Sequence, residues 1–308
     1  MTRNKVPVLL FGAGAVGSYF CGRMAQGGLA DVSVVGRSDY ETVKTQGYRI
    51  KSCDGDFTFH PAGVYRSAAE YPGHADYIII TSKVLPGIDL PGMIRDAVRP
   101  HTVIVLIQNG IEIENELAAA FPANELISSI AYIGVTRVAP GEVVHVDGGR
   151  LKFGLYPQGT SAHAERLAEL FTAGKIPVQV TPEIMRARWE KLVWNVPFNP
   201  ISVLAHSDTA QMMADPDCVK LLRATMEEVC TLAAADGWRQ PDDLIDRQLE
   251  FTRGFKPYKP SMLIDYDNGR PMEIEAIIGN VVRIAARLNI AVPYIFSIYA
   301  MIKRLSGK

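Results

Sequence analysis

Lys191, Asn195 and Asn199 recur at intervals of four along Arg188-Trp189-Glu190-Lys191-Leu192-Val193-Trp194-Asn195-Val196-Pro197-Phe198-Asn199-Pro200. On a helix that spacing puts three polar side chains on one face, among largely apolar neighbours. Desolvation there penalises an ammonium, so Lys191 is expected to have a lowered pKa and to suit general acid chemistry. The same spacing also fits a lysine whose stem covers apolar surface while its head reaches water. Pro197 falls inside this stretch and is expected to kink the helix.

The second constellation is Gly12-Ala13-Gly14-Ala15-Val16-Gly17, a G-x-G-x-x-G that follows an apolar run at 8–11 and opens a helical stretch. In that context Gly12 permits a tight turn, Gly14 lets the backbone approach a pyrophosphate, and Gly17 allows close helix–strand packing. Ala13, Ala15 and Val16 supply backbone at a helix N-terminus, whose N–H groups and dipole favour an anion. A strand at 32–35 then ends in Gly36-Arg37-Ser38. NAD sites usually place a carboxylate near this point for the ribose 2′-hydroxyl, whereas an arginine suits a 2′-phosphate. NADP(H) is therefore the expected cofactor, with a solvated surface role for Arg37 as the alternative. Ligands of open α/β sheets sit beyond the carboxyl ends of the strands, where Thr81-Ser82-Lys83 and Gln108-Asn109-Gly110 lie. Lys83 and Asn109 suit a nicotinamide ribose, a carboxamide or a substrate carboxylate, though each also suits a plain loop or turn.

The elements that must position these groups read as α/β, with short β-branched runs alternating with helical stretches up to about residue 180. Strands are expected at 8–11, 32–35, 77–81, 103–106 and 126–134, with an inserted hairpin at 48–65. Antiparallel strands at 141–146 and 151–154 make a mostly parallel sheet mixed at one edge. Beyond 183 helical periodicity dominates, notably at 218–236 and as one long helix over 273–288. Residues 1–180 thus read as a Rossmann-type, NADP-binding domain and 181–308 as an all-helical, substrate-binding domain.

The chain has 308 residues, 48% of them hydrophobic, enough for two cores. Its 32 basic and 33 acidic residues leave a formal charge of -1 with no basic run, so no nucleic acid or anionic membrane partner is expected. The apolar run before Gly12 is too short for a leader or a membrane span, and a cytoplasmic location fits. Cys21, Cys53, Cys218 and Cys230 form no C-x-x-C pair, so no metal or disulfide is expected and they read as reduced packing residues. On spacing alone, Ser261 reads as a capping serine, and Asp265 and Glu273 as first-turn acids. The apolar stretch 292–301 suits a homodimer face and an intrachain core equally.

Taken in order, the G-x-G-x-x-G, the Q-N-G turn, the K-x-x-x-N-x-x-x-N helix and an S-M-x-x-D segment twelve residues ahead of E-I-E resemble the ketopantoate reductase family over residues 6–288. The resemblance implies NADPH-dependent reduction of 2-dehydropantoate to pantoate, in pantothenate biosynthesis. It implies Lys191 as general acid, Glu273 holding the lysine and the substrate hydroxyl, and Asn195 and Asn199 on substrate hydroxyl or carbonyl groups. It further implies Ser261 on the carboxylate, with Asn109 and Lys83 on the nicotinamide side. Two departures bear on the substrate: Met272 and Ile278 stand where the family commonly has Thr and Asn, and Lys83 is followed by Val-Leu-Pro-Gly. Another branched 2-oxo acid is the alternative substrate, and an NADPH-sensing binding protein without catalysis the alternative function.

Overall fold

Runs such as Val-Ile-Val-Leu-Ile at Val103–Ile107 are buried along their whole length, as expected of a strand covered on both faces. The computed structural model describes residues 5–254 and 256–307. Residues 1–4, at the head of the stretch weighed above as a leader, lie outside them. The chain divides into two compact units. The first comprises Met1–Lys83, Ile88–Gln108 and Glu114–Ile184, and the second Val84–Gly87, Asn109–Ile113 and Met185–Lys308. Two short segments from early in the sequence thus cluster with the helical half.

The first unit carries one ten-stranded, mostly parallel sheet in the order β4-β3-β9-β8-β7-β6-β1-β2-β5, with β10 also pairing β9. Its strands are β1 (Val6–Phe11), β2 (Ala30–Val35), β3 (Tyr48–Ser52), β4 (Phe57–Phe59), β5 (Val64–Tyr65), β6 (Tyr77–Ile80), β7 (Val103–Ile107), β8 (Leu126–Ala139), β9 (Glu142–Leu155) and β10 (Val178–Val180). The core packs Leu10, Phe20, Met24, Val34, Ile79, Val105, Leu167 and Phe171 between this sheet and the helices Ala15–Gln26 and Ala162–Ala173.

Three expectations change in detail. The stretch 48–65 is not one hairpin: β3 and β4 pair antiparallel at one edge, while β5 runs parallel to β2 at the other. The strands expected at 141–146 and 151–154 are a single strand, β9. Gly148 and Gly149, at φ of 76° and 102°, let it bend where its register against β8 slips, so the glycines mark a bulge rather than a strand end.

The second unit is helical, with Ile184–Leu204 and Pro216–Ala235 its longest elements. Ile184–Leu204 stays helical through both Pro197 and Pro200, although each ring removes an N–H from the ladder. The third change lies here. The helix expected over 273–288 opens with a π-helical segment, Glu275–Gly279, before the α-helix Asn280–Leu288. Periodicity cannot register one residue inserted into a turn, but the change has a local cause. The Ala276 carbonyl accepts the Ile111 N–H at 3.1 Å, so part of the helix's backbone serves the 109–113 segment. In the final helix, Pro293–Leu305, Ile295, Ile298 and Ile302 are buried while Tyr294, Phe296 and Met301 are exposed. The inward stripe is therefore core.

Candidate active site

In the first unit β1 lies between β6 and β2, and the chain leaves its carboxyl end through Gly12. Gly12 has φ of 85°, and a Cβ there would sit 2.4 Å from the Ser82 backbone nitrogen. At Gly17 a Cβ would meet Thr81 Oγ1 at 2.3 Å, whereas at Gly14 the nearest atom would be 3.9 Å away. Gly12 and Gly17 are thus fixed by close packing, and Gly14 leaves open space at the start of a helix with no side-chain cap. That combination fits a dinucleotide pyrophosphate: unblocked backbone donors, a favourable dipole and no Cβ in the way.

Arg37 follows β2 directly and is exposed, with Nη2 3.2 Å from Met93 Sδ, a weak acceptor. The nearby carboxylate, Asp39, is buried and committed to the protein. It accepts Arg137 Nη1 at 2.6 Å and the Gly141 N–H at 3.1 Å. Lys83 follows β6 in the same unit. Between the ends of β6 and β7, Gln108 Nε2 donates to the Ser82 carbonyl at 2.5 Å.

The second unit gathers Lys191, Asn109 and Glu273. Lys191 Nζ donates to Asn109 Oδ1 at 2.8 Å. Asn109 is held there by the turn that follows it, in which Gly110 adopts φ of 110° and its carbonyl accepts Arg188 Nη1 at 3.0 Å. A Cβ at Gly110 would lie 2.4 Å from the Ala276 carbonyl oxygen, and Asn280 Nδ2 donates to the Ile111 carbonyl at 2.6 Å. The Asn-Gly pair is thus a docking point for the π-helical segment as well as a turn. Glu273, just before that segment, accepts the Val84 N–H on Oε1 at 2.9 Å.

Desolvation is the largest cause lowering the Lys191 pKa; the Arg188 guanidinium lowers it further and the Glu273 carboxylate opposes them, leaving it at about 8. The lysine therefore remains mostly protonated at neutral pH yet gives up its proton readily. One turn along, Asn195 is buried and its side chain has no hydrogen-bond partner among the described residues. Asn199, a further turn along, accepts Ser261 Oγ at 3.3 Å and the Met262 N–H at 3.2 Å on Oδ1. Ser261 is accordingly no cap: Pro260 holds the N-cap position of Ser261–Asp267, and the hydroxyl turns to Asn199. Asp265, at the far end of that turn, pairs with Arg270 at 3.2 Å.

Arg188 was missed by the sequence reading. Its signal was available, an arginine one turn before Lys191 on the same helix, but its burial at 2% exposure was not. Replacing Gly110 with Ala tests this scaffold. The clash and the positive φ are expected to cost about 1–3 kcal/mol and to lower turnover by releasing Asn109. Urea denaturation and steady-state rates read both, and a Gly110→Ala protein matching the original in each would show that the turn is not constrained.

The class defined by these features is a two-unit α/β protein with a dinucleotide-type glycine turn and, on its helical unit, a half-buried lysine held by an amide and biased by a carboxylate. Residues 8–158 match the family model described as ketopantoate reductase PanE/ApbA, and residues 183–306 that of its C-terminal region. A 2-dehydropantoate 2-reductase of Nostoc sp. is 32% identical over 310 residues, covering 99% of this chain and 97% of its own. The crystal structure of 2-dehydropantoate 2-reductase from Methylococcus capsulatus superposes with a TM-score of 0.92 at 47% identity, over 97% of this chain and 96% of that one. A D-mandelate dehydrogenase solved with NADH and anilino(oxo)acetate shares the fold at TM-score 0.87 and 19% identity, over 98% and 99% of the two chains. The chain belongs to the ketopantoate reductase family and is an oxidoreductase.

Proposed function

We propose that this protein reduces 2-dehydropantoate to pantoate with NADPH, as a cytoplasmic step of pantothenate biosynthesis. The observation that carries the reading is the Lys191–Asn109 hydrogen bond at 2.8 Å on a lysine whose pKa is brought to about 8. When bound, the cofactor supplies a hydride to the C2 carbonyl of the 2-oxo acid. Lys191 protonates the oxygen on which negative charge develops, and its own positive charge stabilises that oxygen beforehand. Glu273 keeps Lys191 protonated through its charge. Asn109 orients the ammonium, and Asn195 offers an unused amide to the substrate's hydroxyl or carbonyl. Asn199 sets Ser261 at the head of its helix, where its hydroxyl can turn from Asn199 Oδ1 to donate to the carboxylate. The Gly12 to Gly17 turn and Arg37 hold the pyrophosphate and the 2′-phosphate, and Lys83 the nicotinamide side. The exposed apolar side chains of the last helix leave surface for a homodimer.

One feature favours a second reading, a different branched 2-oxo acid. Ile278 is fully buried in the π-helical segment that abuts the Asn109 turn, and Met272 is half-buried beside Glu273, so both polar positions of the resembled motif are apolar here. NADPH oxidation measured with 2-dehydropantoate and with several branched 2-oxo acids, then repeated with NADH, decides. The expected result is the highest kcat/KM for 2-dehydropantoate with NADPH. A clear preference for another acid transfers the assignment to it, and no oxidation with any acid leaves a binding protein.

A further inference from the structure

The sequence scatters its cysteines, yet the fold brings one of them to a histidine and an aspartate. β3 and β9 pair in parallel with Ser52 opposite His145, and the Cys53 N–H donates to the His145 carbonyl at 3.1 Å. Cys53 is exposed rather than packed, which corrects its reading as a packing residue. Its Sγ lies 3.6 Å from His145 Nδ1 and 4.0 Å from Asp54 Oδ1, and the three ligand atoms fall within 4.8 Å of one another.

We propose that Cys53, Asp54 and His145 bind a thiophilic divalent cation of the zinc type, with solvent in a fourth position. Zinc bonds of about 2.3 Å to sulfur and about 2.0–2.1 Å to nitrogen, opened to a tetrahedral angle, hold those two atoms about 3.5–3.6 Å apart. Sγ and Nδ1 already stand at that separation. The histidine is also set in the required tautomer. Its Nε2 lies 3.0 Å from the Asp147 carbonyl oxygen, which can only accept, so the proton is on Nε2 and the lone pair on Nδ1 faces Cys53. In the cation's absence that lone pair takes the Ser52 hydroxyl at 2.9 Å, which turns aside on binding.

The surroundings hold these groups in place. His145 is 2% exposed and packs against the Tyr19 ring with centroids 4.3 Å apart. Arg23 Nη2 donates to the Asp54 and Gly55 carbonyls at 3.2 and 2.8 Å, fixing the turn that carries two of the ligands. Binding releases the thiol proton to solvent and leaves a thiolate neutralised by the cation. Tyr19 and Arg23 belong to the helix that opens at the glycine turn, so an occupied site would tie β3 and β9 to that helix.

Co²⁺ titrated into the full chain, under a non-thiol reductant, tests the site. The expected result is a near-ultraviolet thiolate-to-cobalt charge-transfer band that saturates near one equivalent and is erased by Zn²⁺. Cys53→Ser changes an exposed side chain and is expected to abolish the band, and Asp54→Asn to weaken Co²⁺ affinity by about tenfold or more. Cys21, Cys218 and Cys230 provide the internal control, since a band surviving Cys53→Ser would come from them. That outcome, or no band with the unaltered chain, overturns the proposal.

Discussion

Replacing Lys191 with Ala is expected to lower kcat by about 10² to 10⁴ while leaving the NADPH dissociation constant within a few-fold, since a positioned general acid is worth about that much. Lys191 stands 2.8 Å from Asn109 Oδ1 with its pKa lowered, by desolvation first and by Arg188 second, to about 8. Below that pH the ammonium can donate; above it the proton is gone, so the rate of the unaltered protein should fall as pH rises through about 8. The two neighbouring charges act in opposite senses and give a finer check. Glu273 raises the lysine's pKa, so Glu273→Gln should move the falling limb to lower pH. Arg188 lowers it, so Arg188→Gln should move the limb to higher pH. A variant that merely loosened the fold would lose rate without these opposed shifts. Turnover of Lys191→Ala within a few-fold of the original would remove the lysine from the mechanism.

How much of this could be read from the sequence depends on how local each determinant is. The glycine turn was legible because strand, glycine spacing and helix are contiguous, and the distances at Gly12 and Gly17 supply the steric reason for each residue. The Lys191, Asn195, Asn199 stripe was legible because helical spacing is local too. Partnerships were not. That Asn109 would be the lysine's acceptor depends on the 109–113 segment docking on the Ala276 carbonyl, which joins residues far apart in sequence. The π-helical segment was invisible for a related reason: buried isoleucines at 274, 277 and 278 fit an ordinary helix, and the backbone departs from it where a distant strand end claims its carbonyl. Cys53 and His145 show the same limit. A β-sheet brings together residues whose separation in sequence carries no signal, so counting cysteine intervals could not find them.

Replacing Arg37 with Asp is expected to raise the NADPH dissociation constant by about 10²-fold and leave NADH within a few-fold or tighter. A hydrogen bond to a charged group contributes about 1.5–3 kcal/mol, and a carboxylate at this position also repels the 2′-phosphate. On the proposed reading, a single arginine should matter that much for the following reason. A ribose hydroxyl bound in the NAD manner needs a carboxylate at the end of β2, and the one present, Asp39, has one oxygen on Arg137 and the other on the Gly141 N–H. Arg37 rests against the thioether of Met93, a contact a phosphate would displace at little cost. The substitution thus exchanges the group suited to a phosphate for the group missing for a hydroxyl. Both constants can be read from the fluorescence of each reduced cofactor on titration, and a loss equal for NADH and NADPH would mean that Arg37 supports the fold or the pyrophosphate and does not read the 2′ position.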